Sequence, residues 1–145
     1  MIGDARLSLA RAPADTYNLI IVDAFTSDAI PIHLMTREAV QLYLSKLHRG
    51  GLLAFHISNR YFTLHPVLAN VASELGLVCA GRLSAVTVQE HELGISASRW
   101  VVLARPGTDL GSLVRIRKWR PLPGRGDGVL WTDDFSNILS VLKWR

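Results

Sequence analysis

The chain has 145 residues, with 16 Lys+Arg against 12 Asp+Glu (formal net charge +4), 49% hydrophobic and 19% charged residues. This is the size and composition of one globular domain with a real core, which excludes wholesale disorder. Cys79 is the one cysteine, so a disulfide scaffold and a multi-cysteine metal site are excluded, and no apolar run reaches the ~18–20 residues of a membrane span. Met1–Arg6 has no apolar signal core, so cytoplasm is the expected compartment. Residues 1–104 hold eight basic and eight acidic side chains, and residues 105–145 hold eight basic and four acidic ones. The +4 therefore belongs to the C-terminal part, chiefly Arg115, Arg117, Lys118, Arg120 and Arg125. Nucleic acid is a conceivable partner for such a cluster, but a solvated face is the reading preferred.

In chain order, Tyr17–Asp23 is a continuous apolar run of the length expected for a strand buried on both faces. A loop with Ser27, Asp28 and Pro31 follows. Thr36 is placed to cap a helix with Glu38 in its first turn and Val40, Tyr43, Leu44 and Leu47 as its stripe. His48 and Arg49 fall in its last turn, and Gly50-Gly51 stop it. Leu52–Ile57 reads as a second buried strand. A polar loop, Ser58–Tyr61, leads to a helix opened by Pro66 and ended by Gly76. A third strand lies within Leu77–Val88 and a fourth at Trp100–Ala104, expected as an antiparallel edge hairpin. The alternation predicts an α/β sheet. From Pro106 onward Pro and Gly punctuate a loop-rich, basic tail, with a short terminal helix over Ile138–Leu142. Residues 1–104 and 105–145 are accordingly the two expected parts.

In open α/β sheets ligands bind beyond the carboxyl ends of the strands. That rule selects Asp23 and Asp28, then His56, Ser58, Asn59, Arg60 and Tyr61, then Gln89–Glu92. Asp23 ends an apolar run, in an expected half-buried place that would raise its pKa and suit a general base. A helix-capping or loop-ordering role is the alternative. Asp28 would add a second negative charge for a cationic amine, or serve an ordinary turn. His56 reads as a hydrogen-bonded core histidine or as a catalytic one. The histidines and Cys79 have no metal-ligand spacing, so no metal is expected, and Cys79 reads as an inert core thiol. Gly124–Gly128 lacks the flanking strand and helix of a phosphate loop and reads as plain loop.

Four runs together resemble the polyamine aminopropyltransferase (spermidine synthase) family, most of all its bacterial spermidine-synthase-like group. They are Gly3–Arg6, Tyr17–Asp28, Leu34–Glu38 and Gly50–Leu53, supported by His56–Tyr61 and a late Thr132-Asp133-Asp134. The resemblance covers roughly residues 2–104. It implies the class I S-adenosylmethionine-dependent methyltransferase fold, a Rossmann-like sheet. It also implies aminopropyl transfer from decarboxylated S-adenosylmethionine to a diamine such as putrescine. Carried over residue by residue, Asp4 with Ala5 would hold the donor's adenine, and Asp23 would take the proton of the attacking amine. Asp28 would hold that amine, and His56, Asn59, Tyr61 and Gln89 would line its site.

The first strand, glycine-rich loop and ribose-gripping acid of this fold are expected upstream of Gly3-Asp4. The 145 residues thus read as the C-terminal half of a catalytic domain, and an exposed strand edge makes a homo-oligomer conceivable. Two other functions stay open. One is a small-molecule methyltransferase of the same fold, using S-adenosylmethionine itself. The other is a non-catalytic module that dimerises or binds an anion through residues 115–125.

Overall fold

The structure is a computed structural model, and the described residues are 4–23, 31–59, 61–94, 96–108, 110, 113, 115, 119–125, 128 and 130–143. Asp28, Arg60, Arg117, Lys118, Gly126 and Asp127 lie outside them.

The two leading apolar runs become strands β1 (Tyr17–Val22) and β2 (Leu47–His56). They pair in parallel, with Ile20 opposite Leu53 and Val22 opposite Phe55. Helix α2 (Arg37–Lys46) connects them and α3 (His65–Glu74) follows β2. Strands β3 (Val78–Ser84) and β4 (Ser98–Ala104) form the expected antiparallel hairpin, but β4 inserts between β2 and β3. A three-residue strand, β5 (Trp119–Pro121), adds to the outside of β3, giving the order β1-β2-β4-β3-β5. The hairpin is therefore extended by a strand that the punctuated tail did not announce.

Three boundaries differ from the local pattern. A short helix, α1 (Ala5–Ala10), precedes β1, with Asp4 as its N-cap. Helix α2 stops at Lys46, and His48 to Gly51 are already strand. The cause is non-local: Arg105 donates to the carbonyls of Leu44 (2.6 Å) and His48 (3.1 Å), closing the helix from the far end of β4. Leu47 is fully buried, so the chain gains more by turning inward than by adding another helical turn. Strand β3 ends at Ser84 rather than running to Val88, and Val88–Glu92 forms a separate short helix, α4. Elsewhere the local signals are realised. Thr36 Oγ1 accepts from the Ala39 N–H at 3.2 Å, Pro66 sits in the first turn of α3, and Gly76 (φ +64°) follows its last turn.

Alternation along the strands divides the sheet into two faces. Val22, Phe55, Val101 and Leu103 face α2 and α3 in the main core, which also holds Tyr43, Leu68 and Trp131. Cys79 belongs to it, and burial pushes its thiol pKa up to about 12, as an inert core thiol requires. A smaller cluster, Ala54, Val102, Ala104 and Leu110, lies on the opposite face. There the outer residues of β1 stay open, with Leu19 49% and Ile21 55% exposed. Gly124 is small because it rests on α3: a Cβ there would lie 2.5 Å from Ser73 Cβ. The expected terminal helix is one 3₁₀ turn, Ile138–Val141. Among the described residues no helix is long and apolar enough to cross a membrane.

Candidate functional site

The parallel pairing of β1 and β2 brings their carboxyl ends to one rim. The antiparallel β4 starts beside them, with His56 opposite Trp100. Asp23 is the first residue beyond β1 and His56 the last of β2. His56 Nδ1 lies 2.7 Å from Asp23 Oδ1, and Nε2 lies 2.7 Å from Ser58 Oγ. Ser58 Oγ also accepts the backbone N–H of Arg99 at 2.9 Å, and the His56 ring stacks on Trp100 at 4.7 Å.

Hydrogen-bond roles follow from this chain of contacts. With Asp23 ionised, Oδ1 only accepts, so Nδ1 carries the hydrogen. For a neutral ring Nε2 is then an acceptor, and the Ser58 hydroxyl, anchored by the Arg99 amide, donates to it. The chain is fixed at its inner end and free at its outer end. Asp23 is 56% exposed and His56 25%, so the carboxylate rather than the serine faces incoming molecules. That separates it from a serine-nucleophile triad, in which the acid is the buried member. Asp23 is more exposed than its place after an apolar run predicts, because β1 has a strand neighbour on one side only among the described residues. His56 is hydrogen-bonded at both nitrogens, as expected of a structural histidine, but it lies half-buried at the rim and not in the core.

The other expected site residues do not join this chain. Asp4 Oδ1 accepts from the Leu7 N–H at 2.9 Å, and Oδ2 lies 3.6 Å from His33 Nε2. Ala5 opens α1 beside it. The Leu7 amide is the first cause holding the Asp4 carboxyl below its ordinary range, with His33 and Arg6 adding to it. Asn59 Oδ1 accepts from the Tyr61 and Phe62 amides (2.8 and 2.9 Å), which orders the loop, while its Nδ2 is buried without a partner. Tyr61 is half-exposed, and Gln89 is exposed on α4. Ser58 is among the rim residues the sequence selects, although its bond to His56 is not announced there; Trp100 is the partner the sequence does not single out. Ser58 lies two residues from His56, the period of a strand face, whereas Trp100 is a cross-strand neighbour with no local signal.

The late Thr-Asp-Asp motif acts elsewhere. Asp133 accepts a fork from Arg6 (2.8 and 2.6 Å) and the Thr36 hydroxyl (2.7 Å), and its N–H donates to Glu38 Oε2 (3.0 Å). It ties α1, the start of α2 and the tail together beside a cavity of about 560 Å³ that includes His33 and Ser136. Asp133→Ala should lower stability by about 1–2 kcal/mol, since charged hydrogen bonds are lost at a partly exposed site; urea unfolding measures it. The Arg6 hydrogen bond, foremost, holds the Asp133 carboxyl below its ordinary value of 3.8. Its contribution is therefore full above that value and is lost as pH falls through the lower folded one.

No family model and no curated protein matches the chain. A solved structure of a probable spermidine synthase from Corynebacterium glutamicum ATCC 13032 is similar, with a TM-score of 0.56 at 15% identity. The match covers 89% of this chain and 54% of that one. A structure of MnmC2 from Aquifex aeolicus gives a TM-score of 0.47 at 17% identity, over 79% of this chain and 33% of that one. The fold is α/β, of the S-adenosylmethionine-dependent methyltransferase-like class. The chain spans about half of the spermidine synthase structure it resembles.

Proposed function

We propose that these residues form the amine-accepting side of a spermidine-synthase-like aminopropyltransferase. The observation that carries this reading is the Asp23–His56–Ser58 chain at the carboxyl rim of β1 and β2. In the proposed reaction a diamine nitrogen attacks the propyl carbon next to the sulfonium of decarboxylated S-adenosylmethionine. The C–N bond forms, the C–S bond breaks, and methylthioadenosine leaves. The amine must be deprotonated to attack, and Asp23 takes that proton. Holding Oδ1 through His56 leaves Oδ2 to meet the ammonium, so geometry supplies much of the remaining rate. Asp28, Asn59, Tyr61 and Gln89 are the further proposed amine contacts, with Asp4 and Ala5 on the adenine side.

Among the described residues no glycine-rich loop stands between a strand and a following helix. In this reading a donor-binding segment adds strands at the open edge of β1 and covers Leu19 and Ile21. Turnover is expected only when residues 1–145 are joined to such a segment, whereas diamine binding needs the present residues alone. Putrescine titrated into the 145-residue chain, followed by NMR, should shift His56 and residues next to Asp23. Shifts spread over all acidic residues alike would sink the proposal. Methyl transfer from S-adenosylmethionine by the joined protein, without aminopropyl transfer, would favour the methyltransferase reading.

A further inference from the structure

Two cavities meet at His65, the first residue of α3. One, of about 280 Å³, is lined by His65, Arg82, Arg99 and Arg120 over an apolar floor that includes Leu122. The other, of about 530 Å³, is lined by His65 and Arg125. Arg99, Arg120 and Arg125 come from separate elements, β4, β5 and the loop after β5, whereas Arg82 alternates with Gly81 to the Trp100 face of the sheet. Among the described residues, every ion pair lies elsewhere, and none of these guanidinium groups has a carboxylate or hydrogen-bond partner. Convergent unpaired cations repel one another, so this arrangement costs stability unless an anion joins it. The start of α3 points the same way. No side chain caps it, so the His65 and Val67 amides lack helical partners, and Pro66 has no N–H to satisfy.

The electrostatics of His65 agree. Burial first, then Arg99, Arg125 and Lys143, hold its pKa below the ordinary 6.5, and no carboxylate opposes them. The site is distinct from the Asp23 chain. Trp100 meets His56 on one face of the sheet, while Arg99 alternates to the face of Val101 and α3.

We propose that His65, Arg99, Arg120 and Arg125 bind a ligand carrying consecutive phosphates, an oligophosphate group. Planar guanidinium forks match phosphate oxygens in pairs, and adjoining cavities with three such forks suit more than one phosphate. This site does not depend on the aminopropyl reading.

The test is calorimetric titration of the whole chain with tripolyphosphate and with orthophosphate at physiological salt. Tripolyphosphate should bind at least about tenfold more tightly. Arg99→Ala and, separately, Arg120→Ala should each weaken it by about tenfold, whereas Arg115→Ala, outside both cavities, should leave it unchanged. Near-UV circular dichroism shows which variants are folded, and either cavity variant suffices. Equal weakening by Arg115→Ala would mean diffuse charge attraction and overturn the site. So would equal affinity for the two anions, or tighter binding of a single-stranded RNA of the same charge.

A second readout is thermal stability against pH. The unfolded chain protonates position 65 before the folded one does, so His65 costs nothing above 6.5 and destabilises as pH falls through its lower folded value. His65→Gln should flatten this part of the profile, and saturating tripolyphosphate should offset the loss by favouring the charged ring. A wild-type slope unaltered by the anion would count against the site.

Discussion

Asp23→Asn is expected to abolish the putrescine-induced shift of His56. In a protein that also carries a glycine-rich donor segment, it should lower aminopropyl transfer by about 10²–10⁴-fold, the usual worth of a positioned general base. The amide removes both the negative charge that holds the ammonium and the basic oxygen that takes its proton. It keeps the shape of the side chain and an oxygen able to accept from His56 Nδ1, so the fold should be unaffected. Release of methylthioadenosine measures the rate, and amide chemical shifts report the fold. Ser58→Ala separates positioning from chemistry. It leaves the carboxylate in place but removes the donor to Nε2, so the ring is free to change tautomer and turn. A drop in kcat smaller than that of Asp23→Asn, with a changed nitrogen-15 shift at His56, is the expected outcome. Full activity in Asp23→Asn would remove Asp23 from the chemistry.

Trp131→Ala is expected to cost about 3–5 kcal/mol, the range for truncating a buried aromatic, and to lower the urea midpoint accordingly. Trp131 is fully buried in the main core, although it lies in the segment the sequence marks as tail. Its carbonyl accepts the N–H of Arg37 at 2.8 Å, next to the cap that Thr36 provides. The ring therefore anchors the tail and fixes where α2 begins. Its indole Nε1–H is buried without a partner. Trp131→Phe removes that unsatisfied donor while keeping most of the apolar volume, so its loss should be far smaller, near 1 kcal/mol. Both variants keep the backbone carbonyl that accepts from Arg37, so similar losses would show that the indole shape, and not the apolar volume Phe retains, carries the effect.

Much of the architecture is readable in short windows. Tyr17–Val22 and Leu52–His56 are strands as their apolar runs predict, although β1 is covered on one face and not on both as its run suggests. Thr36, Pro66 and Gly76 mark helix ends because capping and φ preferences act within one turn. The end of α2 is not readable in a short window because its closing group, Arg105, lies 61 residues from Leu44. β5 has no local signal because three residues that include a proline have no period of their own; pairing with β3 makes them a strand.

The candidate site divides along the same line. The sequence by itself determined the chemical types: a carboxylate after one strand, an imidazole at the end of the next, and arginines gathered after residue 105. Those follow from residue identity and strand order, which are local. Only the tertiary structure decided which of them meet. Parallel pairing of β1 with β2 set His56 against Asp23, and insertion of β4 supplied both the Arg99 amide that holds Ser58 and the Trp100 ring. The same strand carried Arg99 to the other face, beside Arg120 and His65. Hydrogen bonds and ion pairs act over a few ångströms of space, and separation along the chain says little about which groups the fold brings that close.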